Sequence, residues 1–420
     1  MRRVVITGFG VVSPVGEGKD DFFKNICRGH SGISLLDYFD TSGFPSKIAG
    51  TLKNFDPEKY ISKKQVKRMD EFSHYAMAAG MLAYDDSRLG DASLNMDRAG
   101  VLVGSGIGGI KTIEQEVRKY AENEEKKKGF GFSRISPFLI PKLITNIASG
   151  EIAIKFGFRG PNFCIVTACA TASHSIGEAF RIIRDDDADL FLAGGSESAI
   201  SELGFGGFCA LRAVSTDYND APEKASRPFD AKRDGFVMAE GAGVLVVEEL
   251  EHALKRNAPI YAEIVGYGLS DDASHITAPA PKGEGAARSI RMSLNKAGLQ
   301  PEEVDYINAH GTATVMNDHF ETEAIKSVYG EHAYRLAVSS IKSMTGHMLG
   351  AAGAVEAGAT LMMMQNDIIA PTTNYENPDP NCDLDYVPNK ARKQKIKVAT
   401  SHSFGFGGHN ACLVFKAFEG

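Results

Sequence analysis

Residues 164–172, Cys164-Ile165-Val166-Thr167-Ala168-Cys169-Ala170-Thr171-Ala172, run from a β-branched stretch into a string of small residues. Beyond them Ile176, Ala179, Phe180 and Ile183 recur at helical spacing, and a second apolar run occupies 190–193. A strand that turns through small residues into an amphipathic helix and back into a strand is the repeating unit of an α/β layer. The same alternation extends in both directions. Strand-like runs are predicted at 4–7, 100–103, 164–167, 190–193, 243–248, 261–265, 304–308, 336–339, 397–401 and 411–415. Several are apolar on both faces, as strands covered on both sides should be, which predicts a mostly parallel sheet between helix layers. A short polar junction at 255–259 separates two α/β parts of unequal length, predicting a boundary between 1–256 and 257–420.

Composition limits what such a chain can be. Its 420 residues are 43% hydrophobic and 24% charged, the balance of a globular protein and not of a disordered or collagen-like one. The 46 basic and 53 acidic residues give a formal charge of −7, which argues against a generally basic nucleic-acid binder. No apolar run reaches the roughly 18 residues that cross a bilayer. The start, Met1-Arg2-Arg3-Val4-Val5-Ile6-Thr7-Gly8, enters a strand-like run too short for a secretory h-region. Six scattered cysteines without a C-x-x-C pair read as reduced thiols, so a cytoplasmic protein with no membrane segment is expected.

Within the 164–172 stretch, Cys169 falls at a predicted helix N-terminus, where free N–H groups and the helix dipole lower a thiol's pKa. Alone it reads equally well as a buried structural cysteine. Two histidine segments weigh against that. Asn308-Ala309-His310-Gly311-Thr312-Ala313-Thr314 and Ser340-Ile341-Lys342-Ser343-Met344-Thr345-Gly346-His347 both lie just beyond strand ends, where α/β sheets place reacting groups. A cysteine nucleophile needs one base, so two histidines and a lysine point to more than simple hydrolysis. Near the C-terminus, Ser401-His402-Ser403-Phe404-Gly405-Phe406-Gly407-Gly408-His409-Asn410 sets two aromatics among three glycines, a backbone free to aim N–H groups at an oxyanion.

Gly104-Ser105-Gly106-Ile107-Gly108-Gly109 matches G-x-G-x-x-G literally. A dinucleotide site also wants a second strand ending in an acidic residue about 20 residues on. A lysine- and glutamate-rich stretch to Lys128 follows instead, so the reading here is a tight turn pressed against another element.

Taken together, these segments resemble the β-ketoacyl-acyl carrier protein synthases, and most closely their synthase II branch. The motifs Val5-Ile6-Thr7-Gly8-Phe9-Gly10-Val11-Val12-Ser13-Pro14-Val15-Gly16, Thr167-Ala168-Cys169, Ala309-His310-Gly311-Thr312, Lys342-Ser343-Met344-Thr345-Gly346-His347 and Ser403-Phe404-Gly405-Phe406-Gly407-Gly408 occur in the family's order. The resemblance implies a thiolase fold, with duplicated α/β halves in five α-β-α-β-α layers, usually as a homodimer. It implies that Cys169 carries the acyl chain, with the N–H groups of Cys169 and Phe406 holding its oxyanion. His310 and His347 would act as neutral Nε2–H donors to an enolate formed from malonyl-carrier protein.

The remaining roles come from the same likeness. Lys342 would pair with Glu321, and Asp318 would be structural in that network. Thr312 and Thr314 would meet the phosphopantetheine arm, while Phe406 gates an acyl pocket near Phe208, Ile107, Leu139 and Phe404. Lys63, Lys64, Lys67, Arg68, Arg212 and Lys127 would face the acyl carrier protein. Asn308, Glu356, Ser401 and His402 match a monovalent-cation site, K+ or Na+, of some relatives; no other cofactor is implied.

Departures concern the pocket and the carrier face. Val315-Met316 replaces the usual Pro-x, the 120–132 loop is lengthened, Leu139 stands where an aromatic is expected, and His402 and His409 are unusual. A polyketide or polyene ketosynthase with the same chemistry therefore stays open. So do a non-catalytic partner subunit and, on the glycine motif, a nucleotide-dependent reductase.

Overall fold

The computed structural model describes residues 1–125 and 135–419. Its frame is a sheet built from β1 (Val4–Ser13), β2 (Ala99–Gly104), β3 (Leu190–Glu197), β4 (Gly241–Glu249), β5 (Ala262–Asp271), β6 (Tyr306–Asn308), β7 (Ala337–Ser339), β8 (Val398–Gly405) and β9 (His409–Lys416). Their order is β7-β6-β8-β9-β5-β1-β4-β3-β2. Each half of the chain thus keeps its strands together, and the two sets meet where Val4, Val5 and Ile6 pair with Ile264, Glu263 and Ala262.

The sheet is not mostly parallel. Only β2 with β3, β6 with β7 and β6 with β8 run parallel. The pairs β3–β4, β4–β1, β1–β5, β5–β9 and β9–β8 are antiparallel. Double-faced apolar strands report that helices cover both faces, and that holds here whichever way a strand points. The run 164–167 is extended but belongs to no ladder. It lies outside β2, next to a single bridge between Asn162 and Val101, with Phe163 and Val166 about half exposed.

Helices α1 (Glu71–Asp86), α2 (Ile110–Glu125), α3 (Ile147–Phe156), α4 (Thr171–Arg184), α5 (Glu202–Ala210), α6 (Glu284–Ala297), α7 (Val315–Tyr329) and α8 (Ala352–Asn366) complete the layers. One outer face holds α1 and α3, packed on the strands of the first half. The other holds α6 on β5 and β9, with α7 beside it. Between the two strand sets lie α4 and α8, each touching strands of both halves. This is the five-layer α-β-α-β-α arrangement implied by the resemblance. The sequence of α8 explains its place: Ala352 to Met364 are all buried, as in a helix enclosed on every side.

All six cysteines are free. Among the described residues no helix is long and apolar enough to cross a membrane. Close approach of the outer helices depends on missing side chains. A Cβ on Gly10 would sit 2.0 Å from the Ala79 carbonyl of α1, and one on Gly268 would sit 1.9 Å from the Ser289 carbonyl of α6. Backbone cannot yield as a side-chain tip can, so Gly10→Ala and Gly268→Ala should each destabilise by about 1–3 kcal/mol. Denaturant midpoints check this, and wild-type midpoints for both would contradict the packing.

Candidate active site

Cys169 occupies a single 3₁₀ turn, Ala168–Ala170, immediately before α4. Ala168 has φ 49°, a left-handed conformation that costs an alanine about 1 kcal/mol or more and turns the chain sharply between extended segment and helix. The glycine-rich 104–109 turn packs beside it. There the Glu197 carboxylate accepts from Gly106 N–H (2.8 Å), Ile107 N–H (3.2 Å), Ser105 Oγ (2.9 Å) and Gly350 N–H (3.0 Å). A nest of N–H groups that could have held a phosphate is filled by the protein's own buried carboxylate. The close-packed turn is therefore correct, and the same carboxylate ties the first half to the segment after His347.

His310 follows β6 and His347 follows β7. The backbone of His347 is held on the 237–239 segment, with His347 N–H to Val237 O at 2.8 Å and Ala239 N–H to His347 O at 2.9 Å. That places His347 Nε2 3.0 Å from Cys169 Sγ. The two imidazoles stand edge-to-face with centroids 5.4 Å apart, and Phe236 supports His347 from another side at 5.4 Å.

Lys342 does not pair with Glu321. Its buried ammonium bonds the Glu356 carboxylate, the His310 carbonyl at 2.6 Å and, more loosely, His310 Nδ1 at 3.4 Å. Glu321 instead accepts the N–H groups of His310 and Gly311, both at 2.8 Å, and lies 3.4 Å from His402 Nδ1. Asp318 belongs to a different cluster from Lys342. It accepts Phe229 N–H at 2.8 Å and lies 3.6 Å from Arg233 Nε, with burial pushing it up to about 6. Asp318 and Glu321 sit one turn apart on α7, whereas Lys342 approaches from β7 towards α8, so Glu356 is the carboxylate it meets.

Charge follows from this packing. Burial, then the Lys342 ammonium, holds both His310 and His347 well below the usual histidine range. With an ammonium beside Nδ1, His310 carries its proton on Nε2. His347 Nδ1 is buried without a partner, and an orphaned acceptor costs less than an orphaned donor, so its proton also lies on Nε2. Cys169 departs from the expected lowering. Burial pushes its thiol up to about 12, and Lys342 and the Phe406 N–H only partly oppose this. The resting pair is a thiol against neutral imidazole.

A cavity of about 370 Å³ opens onto these groups. Cys169, His310, His347, Thr312, Thr314, Phe208, Phe404, Phe406 and Arg212 line it, with the two threonine hydroxyls 3.0 Å apart. Ile107 is not in the lining, although it packs in the same apolar cluster as Cys169. Leu139 opens a short helix, Leu139–Leu143, and does not line the cavity either. Lys63, Lys64, Lys67 and Arg68 are exposed around the helix Lys63–Val66, and the Arg68 guanidinium lies 4.9 Å from the Phe138 ring centre. Lys127 lies outside the described residues.

Asn308 Oδ1, Glu356 Oε2 and Ser401 Oγ are buried without partners, and Asn308 and Ser401 are paired on neighbouring strands. Three orphaned oxygens suit a hard monovalent cation. His402 does not complete that set, since its ring engages Thr400 Oγ1 and Glu321; burial would lower it, but the Cys412 sulfur and then Glu321 hold it up at about 9. Sequence reasoning missed Phe236, Glu197 and the Lys342–Glu356 pair. The signals were faint: a strand ending Gly-Gly-Ser-Glu, and one acid in an otherwise apolar helix.

Residues 1–253 match the β-ketoacyl synthase N-terminal domain and residues 261–376 the β-ketoacyl synthase C-terminal domain. Over 418 residues the chain is 50% identical to 3-oxoacyl-[acyl-carrier-protein] synthase 2 of Synechocystis sp., covering 100% of this chain and 99% of that one. The protein of the same name from Coxiella burnetii is 52% identical over 415 residues, 99% of this chain and 98% of its own. A solved type II PKS ketosynthase in complex with its acyl-carrier protein superposes with TM-score 0.92 at 36% identity, with full coverage of both chains. A β-ketoacyl synthase from Burkholderia phymatum gives 0.90 at 35%, again over the whole of both chains. The fold and the cysteine facing two histidines are those of a condensing acyltransferase. The chain belongs to the β-ketoacyl synthase family.

Because both histidines are neutral and their protonation lies well below pH 6.5, the decarboxylating half-reaction should keep a constant rate from pH 8 down to about 6.5. A loss of rate centred near 6.5, followed by release of CO2, would contradict the assignment. Lys342→Met should cut that half-reaction by roughly 100-fold or more while leaving Cys169 open to acylation. Equal loss of both half-reactions would contradict the role given to Lys342.

Proposed function

We propose that the protein elongates acyl chains on acyl carrier protein by decarboxylative condensation with malonyl-carrier protein, as in fatty acid synthesis. The observation that carries this reading is the 3.0 Å approach of His347 Nε2 to Cys169 Sγ in a cavity that His310 also lines. In the first step the Cys169 sulfur attacks the acyl thioester. The S–C bond to the enzyme forms, the bond to the carrier's thiol breaks, and the cysteine proton leaves with that thiol. The N–H groups of Cys169 and Phe406 hold the intervening oxyanion, where one such donor contributes on the order of 100-fold in rate.

Malonyl-carrier protein then places its thioester oxygen against the Nε2–H groups of His310 and His347. The bond to the carboxylate breaks, CO2 leaves, and the enolate carbon attacks the acyl-cysteine. The ketoacyl product is two carbons longer, and the Cys169 thiolate takes up one proton. Lys342 and Glu356 keep the imidazoles neutral and oriented. Asp318 and Glu321 act as positioning residues, Glu321 through the His310 and Gly311 amides. Thr312 and Thr314 meet the pantetheine arm, and Phe208, Ile107, Leu139, Phe404 and Phe406 bound the acyl path. Residues 1–256 supply the nucleophile, and 257–420 supply the histidines and lysine. A K+ or Na+ at Asn308, Glu356 and Ser401 would steady the strand ends; we assign it no chemical step.

The acidic carrier would land on Lys63, Lys64, Lys67, Arg68 and Arg212, and the resemblance adds Lys127 to that set. We place the enzyme in the cytoplasm as a homodimer. The open segment outside β2, where Phe163 and Val166 are about half exposed, supports pairing with a second copy. Identity near 50% to synthases named for 3-oxoacyl-carrier chemistry favours this reading over a polyketide role, for which the identity is 36%.

Intact-protein mass spectrometry tests the reaction. Wild type should gain one acyl mass from acyl-carrier protein and lose it, on malonyl addition, to a ketoacyl product two carbons longer. Cys169→Ala should gain none. Acylation only by unsaturated or polyketide chains would move the protein to a secondary pathway, and no acylation at all would defeat the reading. Arg212→Glu should raise KM for the carrier about tenfold with kcat little changed, the difference shrinking at high salt. An unchanged KM would remove Arg212 from the docking face.

A further inference from the structure

The two N–H groups assigned to the oxyanion come from separate segments, the Cys169 turn and the β8–β9 hairpin. Gly407 (φ 87°) and Gly408 (φ 82°) leave that hairpin's tip little stiffness of its own. Something must fix the spacing of the donors, because a hole of this kind works only when it is already in place before the charge develops.

The first turn of α4 is bonded both to β8 of the hairpin and to the turn that holds Cys169. Ser173 Oγ and Ser403 Oγ, fully buried, are 2.8 Å apart, which joins α4 to β8 three residues before Phe406. His174 Nδ1 lies 2.7 Å from Thr167 Oγ1, two residues before Cys169. The backbone of Asn410 on β9, four residues after Phe406, is near enough to the same ring to act on its charge. His174 is buried and stays neutral, burial holding it down at about 4, so its Nδ1 is free to accept from the threonine hydroxyl. The first turn of α4 therefore spans from the turn holding one donor, through His174, to the strand that leads to the other, through Ser173. Between them Gly405 lies flat on the turn, and a Cβ there would come within 2.7 Å of the Thr167 carbonyl and 3.1 Å of Cys169 N.

We propose that Thr167, Ser173 and His174 are positioning residues that clamp the nucleophile turn to the hairpin and so set the separation of the two oxyanion donors. The inference rests on the reading of Cys169 and Phe406 given above. It assigns these residues no contact with substrate.

The test compares two reactions of the same sulfur. Acylation by acyl-carrier protein passes through an oxyanion, whereas alkylation by iodoacetamide is a direct displacement that does not. Thr167→Val, Ser173→Ala and His174→Gln are each measured in both reactions, with thermal melting to follow folding. The expected result is acylation slowed by about 10- to 100-fold with alkylation within about twofold of wild type, and Thr167→Ser restored to near wild-type acylation. If His174→Gln fails to fold, the two hydroxyl deletions decide. Acylation and alkylation falling in proportion, or neither changing, would overturn the clamp. Wild-type protein that alkylates at Cys169 yet accepts no acyl group would instead overturn the oxyanion reading on which the clamp rests.

Discussion

A single buried ammonium orders the centre of this protein. Lys342, about 1% exposed, reaches the Glu356 carboxylate, the His310 carbonyl and His310 Nδ1. Taking such a charge out of water is tolerable only with a paired partner, and removing one member of a buried pair typically costs 3–5 kcal/mol. What the pair contributes is local charge. Added to burial, its positive end keeps a second proton off both imidazoles and lowers the Cys169 thiol, an effect that the Glu356 carboxylate opposes. In the proposed reaction the histidines donate hydrogen bonds to a developing enolate from their neutral form, which burial and this neighbour both favour.

The fold supplies the convergence this requires. Cys169 comes from the first half, at the start of the central helix α4, and the histidines come from strand ends of the second. Continuity of the sheet through β1 and β5 and the placement of α4 and α8 between the strand sets bring them within hydrogen-bond reach. Glu197 adds a direct tie, holding the 104–109 turn and Gly350 on one carboxylate. The glycines there and along β1 and β5 permit backbone approach in this packing, which explains a nucleotide-like motif in a turn whose N–H groups bond the protein's own Glu197.

That Cys169 and both histidines would converge was legible, because chemistry-bearing residues set among glycine and small polar residues beyond a strand have little reason to be core. The layer order was legible through the resemblance, and the alternation of elements through periodicity. Strand direction was not, since apolar faces look the same in either direction. Lys342 was assigned the wrong acid because Glu356 sits in a helix buried on all sides, and nothing local marks it as the partner. The thiol's pKa was misjudged for a related reason: helix-end stabilisation can be read from sequence, but the full burial that outweighs it cannot.

The central claim is that Cys169 carries the acyl group with its carbonyl oxygen between the Cys169 and Phe406 N–H groups, leaving both imidazoles for the second substrate. A crystal structure of the protein acylated at Cys169 measures this directly. The account predicts the thioester oxygen within about 3 Å of both N–H groups, with His310 and His347 Nε2 facing open cavity. A thioester oxygen bonded to either histidine, with the two N–H groups unpaired, would contradict it.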